Sequence, residues 1–243
     1  MERNRQVAAQ RGQGVGEYAL LLVLVAIGVL LLLQLMGISV RDAYCKTVEA
    51  ISGSPACAPQ EYCGDDFTGG MDAWRTTLGQ PRSQDGKLCL QKDSRTFNTC
   101  SMEQGQSDYV IRMDDVVLDK GNGYGVFFRT TDTGKGASGY IFQYDPGMKN
   151  HGYRPNGAYL IRRWVNGREV WTPLAITPIP DGDLYNTPHD IEITVKGDTF
   201  TVKVDGQQVL QATDSTYDSG GVGLRTWDNT QVCSGGYSLL PAP

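Results

Sequence analysis

The 243-residue sequence contains only two histidines, and none of its six cysteines forms a CxxC pair. The shortage of histidine leaves little room for a histidine-based metal centre, and the missing CxxC pairs argue against zinc-ribbon and thioredoxin-like domains. Acidic residues outnumber basic ones, 27 to 22, so a net charge of −5 gives no support to binding of a nucleic-acid backbone. With 40% hydrophobic and 20% charged residues, the chain is expected to fold rather than to be disordered.

The sequence also lacks an obvious set of catalytic groups. No glutamate is followed two residues later by aspartate, so the E-x-D-x-x-E pattern of laminarinase-type glycosidases is absent. The cluster Asp114, Asp115 and Asp119 alternates faces and is expected to consist of solvated carboxylates at a strand end. A Ser/His/Asp arrangement could use only His151 or His189. We therefore expect that the chain is not an enzyme.

One stretch near the start of the chain carries no formal charge. It runs for 23 residues, from Tyr18 to Val40, between Glu17 and Arg41. As a helix it would span roughly 34 Å at 1.5 Å per residue, which is enough for a bilayer core of ~30 Å. The basic segment 1–12 before it predicts that the N terminus stays in the cytoplasm and that the rest of the chain is exported.

The residues before this stretch carry a family resemblance. Gly12 follows a basic leader, and Glu17 and Tyr18 are the fifth and sixth residues after that glycine. Together with the apolar run, they resemble the processing site of Flp-type type IV pilins of the tight-adherence class, over about residues 3–50. The resemblance implies cleavage by a prepilin peptidase between Gly12 and Gln13. Flp pilins are typically small, whereas some 180 further residues follow the helix here.

The same resemblance implies that Glu17 and Tyr18 act in filament assembly. The Glu17 carboxylate would pair with the new α-amino group at Gln13 of a neighbouring copy, which fixes the register of subunits in an apolar bundle. The implied partners are other copies of the chain in a helical filament, the prepilin peptidase, the pilus assembly machinery and, before assembly, the cytoplasmic membrane. The alternative is an interfacial glutamate in the first turn of a plain membrane anchor.

From about Cys63 onward the apolar period changes from 3.6 to 2. Alternation is clear in segments such as GYGVFFRTT, GYIFQYD, AYLIRRWV and TFTVKVDG. The dipeptides Asn166–Gly167 and Asp205–Gly206 are strong signals for hairpin turns between such segments. About a dozen short strands in one unit predict a single β-sandwich.

Five stretches of this half, taken in order, carry a second resemblance. They are DDFTGGMDAW (65–74), GYGVFFR (123–129), GYIFQYDPG (139–147), HDIEITVKGDTFTVKVDGQQVL (189–210) and GGVGLRTWDN (220–229). They resemble the concanavalin A-like jelly-roll superfamily, which includes laminin-G, lectin and glucanase sandwiches, over residues 63–240. The expected fold class is α+β overall, with one long N-terminal hydrophobic α-helix followed by an all-β jelly roll.

These patterns divide the chain into four expected segments. They are a basic leader (1–12), a transmembrane or filament-core helix (13–51), a linker (52–62) and a lectin-like β-sandwich (63–243).

All six cysteines follow the apolar run, at Cys45, Cys57, Cys63, Cys89, Cys100 and Cys233. An even number of scattered cysteines beyond a membrane segment predicts disulfides in an oxidising compartment, although six cysteines allow 15 pairings. A Cys45–Cys57 bridge is plausible at the helix end. In the jelly-roll superfamily the closing strand pairs near the opening one, which implies a Cys63–Cys233 bridge, and Cys89 and Cys100 would then suit neighbouring strands.

Strand parity also predicts a polar face on the sandwich. Alternate residues of the central strands share a face, and six of them form a candidate glycan-binding set: Arg129, Gln143, Arg162, Trp164, Arg225 and Trp227. Aromatic rings can stack on sugar faces while arginine and glutamine hold hydroxyl groups. The alternative is a polar network that only covers the sheet or makes a subunit contact.

No cofactor is expected except calcium, for which Asp65, Asp66 and Asp228 are candidate oxygen ligands. The expected function is that of a structural pilin subunit with a lectin-like head that serves adhesion. Its expected location is the cytoplasmic membrane as a precursor and then an extracellular filament. The alternatives are a membrane-anchored glycan-binding adhesin that does not polymerise, and a carbohydrate-active enzyme.

Overall fold

The structure, a computed structural model, describes residues 19–20, 22–25, 44–45, 47–48, 50–51, 61–132, 134–182 and 184–243. The chain divides into two units, Met1–Ala58 and Pro59–Pro243. In the first unit the described residues are helical. No helix among the residues that the structure describes is long and apolar enough to span a membrane. The predicted processing and assembly residues Gly12, Gln13, Glu17 and Tyr18 lie outside the described residues.

Two antiparallel sheets form the second unit. The first sheet has nine strands: β1 (Cys63–Asp65), β3 (Arg82–Gln84), β4 (Lys87–Gln91), β6 (Tyr109–Lys120), β12 (Pro188–Lys196), β13 (Thr199–Val204), β14 (Gln207–Thr213), β16 (Gln231–Ser234) and β17 (Gly236–Pro241). The second sheet has eight: β2 (Trp74–Leu78), β5 (Ser94–Asn98), β7 (Tyr124–Asp132), β8 (Ala137–Asp145), β9 (Ala158–Val165), β10 (Arg168–Glu169), β11 (Ala175–Pro178) and β15 (Gly221–Thr226). The central order of this eight-stranded sheet is β10-β9-β8-β7-β15-β5-β2.

The core lies between the sheets and follows from strand alternation. In β13, Phe200, Val202 and Val204 are buried, while the threonines and the lysine between them are half-exposed. The ring of Phe200 packs against Phe128 and Tyr140 of the opposite sheet, with centroids 5.0 and 4.5 Å apart. Burial of such aromatic side chains on both inner faces is what holds two sheets together as a sandwich.

The expectation of an α+β fold is wrong. Within the described part of 61–243, the helices are α1 (Thr99–Gln104) and a 3₁₀ helix (Pro146–His151). Asn98 caps α1 by accepting a hydrogen bond from the Ser101 amide, and Gly105 ends it in the left-handed conformation. The charge-free run 18–40 has the length of a membrane span, but strands make up just over half of the described residues and far outnumber the residues in these two helices. The protein is therefore a nearly all-β jelly-roll sandwich.

Two disulfides join described residues, Cys63–Cys100 and Cys89–Cys233. The expected Cys63–Cys233 and Cys89–Cys100 pairings are wrong. β16 lies beside β4 in a register that places Cys233 directly opposite Cys89, with Cα atoms 4.1 Å apart. Cys100 instead lies in α1, where it reaches Cys63 at the start of β1.

Cys45 is also disulfide-bonded, whereas Cys57, its expected partner, lies outside the described residues. No cysteine among the described residues is free. Disulfides of this kind persist in oxidising compartments and support an extracellular location for the sandwich.

Candidate functional site

A cleft of about 430 Å³, called here the main cleft, opens on the eight-stranded sheet. It lies on the face that points away from the core, because its floor residues alternate along their strands with core residues. The floor residues are Gln143 on β8, Arg162 on β9 and Arg225 on β15, and the core residues beside them are Phe142, Ile161 and Leu224. Three strands of the second sheet therefore position the polar floor.

A glycine keeps this floor low. Gly125 on β7 lies directly between Arg225 and Gln143 in the cross-strand register. A Cβ atom at Gly125 would lie 2.5 Å from Cδ1 of Ile141, which is too close for any side chain without a shift of its neighbours. The missing side chain leaves room for Arg225 to extend over β7 towards a partner that it shares with Gln143.

That partner is Glu169 on β10. Its Oε1 accepts hydrogen bonds from Nη1 of Arg162 and from Nε2 of Gln143, the latter at 3.2 Å. Its Oε2 accepts from Nη1 of Arg225 at 2.9 Å. Because Arg162 is only 2% exposed, its charge requires a nearby counter-ion, and Glu169 supplies it.

The network does not satisfy all of its own polar atoms. Oε1 of Gln143 and Nε of Arg162 are buried and have no hydrogen-bond partner among the described residues. A purely structural network is expected to be closed, because each unsatisfied buried group costs about 1–3 kcal/mol. The network beneath the main cleft is therefore not closed, and the cleft's accessible donors and acceptors are the groups that a ligand would meet.

Aromatic side chains flank the floor on two sides. Trp171, which follows β10, is 61% exposed, and the Arg162 guanidinium lies 4.3 Å from its ring centroid. His151 packs edge-on against the same ring at 5.4 Å. Trp227, which follows β15, lies 4.9 Å from the guanidinium of Arg225. Exposed rings beside hydrogen-bonding groups form the kind of surface that recognises an amphipathic ligand.

Carboxylates line the end of the main cleft near the 3₁₀ helix. Oδ1 of Asp145 accepts a hydrogen bond from the Met148 amide, which caps that helix. Burial raises the pKa of Asp145 to about 6, against the opposing effect of Arg162. Asp228 also faces the cleft, and its Oδ2 accepts a hydrogen bond from Asn122 at 3.1 Å.

Four of the six residues predicted to share a polar face line the main cleft: Gln143, Arg162, Arg225 and Trp227. Trp164 lies on the same face, but it is only 6% exposed and packs against Phe127 at 5.1 Å. It belongs to a small second apolar cluster rather than to an open aromatic platform.

Arg129 lies elsewhere, and its predicted place on this face is wrong. Its side chain is buried at the other face, where it donates to the carbonyl oxygens of Ser107, Tyr217 and Gly197. The reason is local: Arg129 has a φ of +45°, and the pairing of β7 with β8 shifts register just after Phe128. An irregularity of this kind reverses the alternation of faces on which the prediction depended.

Sequence reasoning did not place Glu169, Trp171, Asp145 or His151 in the candidate glycan-binding set. Glu169 lies on a strand of only two residues, so its sequence neighbours give no periodic pattern. Its importance comes from three side chains that reach it from other strands. Trp171 and His151 lie outside the strands.

The three candidate calcium ligands are not brought together. Asp65 accepts hydrogen bonds from the Phe67 amide and from Nε1 of Trp74, and Asp66 accepts from Thr68. Asp228 instead faces the main cleft on the other sheet. No group of three or more metal-ligating side chains is found in the part of the chain that the structure describes. Calcium binding stays a prediction from the sequence.

Comparison with solved structures shows the same fold in carbohydrate-active and carbohydrate-binding proteins. The carbohydrate-binding module CBM66 from Bacillus subtilis superposes with a TM-score of 0.51 at 22% identity, covering 66% of this chain and 91% of the module. A lichenase derived from a mouse hindgut metagenome gives 0.56 at 12% identity, covering 74% and 98%. The Man3GlcNAc-bound exoplasmic domain of VIP36 gives 0.59 at 13%, covering 77% and 91%. These identities establish similarity of fold alone.

A curated relative is the levanase of Bacillus subtilis, which is 28% identical over 145 residues. The aligned region covers 56% of this chain but only 20% of the levanase. The chain therefore spans about a fifth of the length of that enzyme.

The sequence family described as the 3-keto-alpha-glucoside-1,2-lyase-like domain matches residues 64–232. This match corrects the identification of the chain as a Flp-type pilin. The pilin function, the filament and assembly partners, and the location as a membrane-anchored precursor were wrong, whereas surface glycans are the expected partner that fits. The match covers more than half of the chain, and the chain therefore belongs to the 3-keto-alpha-glucoside-1,2-lyase-like domain family.

Proposed function

We propose that the protein binds a neutral carbohydrate in the main cleft. The observation that supports this most is the Glu169 network, in which an open floor combines a carboxylate acceptor, two guanidinium donors and an amide. Sugars present adjacent hydroxyl groups that both donate and accept, and such a floor offers partners for both roles. The exposed ring of Trp171 supplies an apolar surface beside it.

The charges of the main cleft favour a neutral ligand. Arg162 and Arg225 are the cationic side chains at the floor, and Glu169 already accepts a hydrogen bond from each of them. Asp145 and Asp228 add further carboxylates to the wall. An acidic sugar would have to compete with Glu169 for the same guanidinium groups, at a cost in electrostatic repulsion.

We propose that binding occurs without cleavage. The sequence lacks the paired carboxylates of laminarinase-type enzymes, and in Glu169 both carboxylate oxygens accept side-chain hydrogen bonds. The competing function is that of a carbohydrate-active enzyme. It is favoured by one observation, the buried Asp145 with its pKa raised to about 6, in the range useful to a general acid or base.

The test is a binding titration of the purified full chain with levan, mixed-linkage β-1,3-1,4-glucan and Man3GlcNAc oligosaccharide. We expect saturable binding to at least one of these glycans and no new reducing ends on prolonged incubation. Gln143→Leu should abolish binding without loss of stability, because it removes polar atoms from a buried position of similar volume. Gln211→Leu, on an exposed position of the other sheet, is the matched control. Equal binding by both variants would refute the site, and released reducing ends would establish the enzyme alternative.

A further inference from the structure

A second, smaller cleft of about 280 Å³, called here the side cleft, lies on the same sheet. It shares one wall with the main cleft, made by Arg225, Trp227 and Asp228. Its other side is formed by Leu78 and Arg95, at the β2 and β5 end of the sheet. The two clefts are therefore neighbours, and a ligand long enough to cross the shared wall would contact both.

The shared wall is fixed by aromatic packing. The guanidinium of Arg225 lies between two indole rings, 4.6 Å from the centroid of Trp164 and 4.9 Å from that of Trp227. A guanidinium carries five N–H donors, and among the described residues the side chain of Arg225 donates only to Glu169. Because Arg225 lines both clefts, its remaining donors are candidates for contact with a ligand in either one.

The side cleft has the chemistry of a hydroxyl-binding site. Arg95 and Arg225 supply donors, while the exposed Asp93 and Asp228 supply acceptors, so the charges of the two signs balance. Leu78 is 48% exposed and adds an apolar surface at the edge. A balanced set of donors, acceptors and apolar surface suits a neutral sugar better than an ion.

An unsatisfied buried N–H group also belongs to a residue that lines the side cleft. Trp164, which lines it, is 6% exposed, and its Nε1 has no hydrogen-bond partner among the described residues. Buried indole N–H groups usually find an acceptor. The main cleft carries orphan groups of the same kind at Gln143 and Arg162, so unsatisfied polar atoms occur on both sides of the shared wall.

We infer that the ligand is an oligosaccharide that spans both clefts, with one sugar unit in the main cleft and a neighbouring unit in the side cleft. This inference rests on the proposed carbohydrate-binding function and specifies its ligand as a chain rather than a single sugar. The side cleft adds contacts that only a ligand of two or more units can make, so affinity should increase with chain length until both clefts are filled.

The test measures affinity against ligand length by calorimetry, with the full chain. The probes are three series: fructose and levan oligosaccharides, glucose and β-1,3-1,4-glucan oligosaccharides, and mannose with Man3GlcNAc. We expect the oligosaccharides of the series that binds to be at least about tenfold tighter than the single sugar. Arg95→Ala should remove most of this gain in affinity. Arg82→Ala, an exposed arginine on the other sheet, should not.

Leu78→Ser is a second variant for the side cleft, and because Leu78 is exposed its replacement should leave the fold intact. Binding that is independent of chain length, or a length gain that survives both Arg95→Ala and Leu78→Ser, would overturn the inference and leave the main-cleft function standing. The absence of binding to every probe would refute the proposed function, and the inference with it.

Discussion

The guanidinium of Arg225 lies 4.6 Å from the ring of Trp164, although their strands, β15 and β9, are separated by β7 and β8. The Trp164 side chain reaches across these strands because they present Gly139 and Phe127 rather than long polar groups at the nearby positions. The tryptophan thus covers the second apolar cluster, and the arginine covers the tryptophan. Packing and candidate ligand contacts are coupled at this point of the sheet.

The first prediction concerns this packing. Trp164→Ala should lower the free energy of unfolding by about 3–5 kcal/mol, because it removes a buried ring that packs against Phe127 and leaves a cavity. Denaturant unfolding of the full chain measures the change. A loss below about 1 kcal/mol would show that the ring is not part of a packed cluster.

The second prediction concerns the charge of the main cleft. Glu169→Gln leaves Arg162 and Arg225 without their shared anion, so the floor becomes cationic. We expect binding of neutral glycans to weaken, and binding of uronate-containing oligosaccharides to strengthen relative to them, on a glycan array. The control is Glu192→Gln on β12, where a glutamate of similar exposure also pairs with two cations, Arg112 and Lys203. An unchanged preference in both variants would contradict the assigned role of Glu169.

The third prediction concerns pH. The pKa of Asp145 is raised to about 6 by burial, compared with about 3.9 for an unfolded aspartate. A raised pKa means that the folded state binds the proton more tightly, so the contribution of this group to stability is present below about pH 4 and is lost as the pH rises through 6. As the pH rises from 4 to 8, the free energy of unfolding of Asp145→Asn should therefore increase by about 2–3 kcal/mol relative to that of the unmodified protein. Asp218→Asn, at an exposed position, is the control, and a difference that does not change with pH would refute the shift.

Much of the sandwich could be predicted from local pattern. The hairpin turns at Asn166–Gly167 and Asp205–Gly206 are confirmed, and both residues of each turn have the positive φ that such turns require. These signals are short-range, because a period of two and a two-residue turn depend only on neighbouring residues. The same alternation brought four of the six predicted residues into one cleft.

The remainder depended on information that the local pattern does not contain. A single residue in the left-handed conformation, Arg129, reversed the faces of β7, and alternation carries no signal for such a position. The disulfide pairs depended on which strands become neighbours, since Cys89 and Cys233 are 144 residues apart. Glu169 became important only because Arg162 and Arg225 converge on it from different strands. These are tertiary relationships between residues far apart in the sequence, so a local sequence pattern does not contain them.

The fourth prediction concerns Cys89–Cys233, the disulfide that closes the longer loop of the two. Replacing Cys89 and Cys233 together by alanine should lower the free energy of unfolding by about 2–5 kcal/mol, because the bridge restricts a loop of 144 residues in the unfolded chain. The Cys63 and Cys100 pair closes a loop of 37 residues, and chain entropy predicts that its loss costs about 1 kcal/mol less. Denaturant unfolding of the two double variants tests the order, and the reverse order would show that native contacts outweigh loop entropy.

The last prediction concerns Trp171, where the effect of a substitution on binding can be separated from its effect on stability. Trp171 is 61% exposed, so Trp171→Ala should change the free energy of unfolding by less than about 0.5 kcal/mol. Its ring nevertheless lies over Arg162 at the edge of the main cleft, and its loss removes the apolar surface on which a sugar would stack. We expect glycan affinity to fall by at least about tenfold, which corresponds to ~1.4 kcal/mol. Trp171→Phe keeps an aromatic face and should retain part of the affinity, as calorimetry with the bound glycan would measure. If Trp171→Ala binds as well as the unmodified chain, the ligand does not contact this edge, and the site must be redrawn around Trp227.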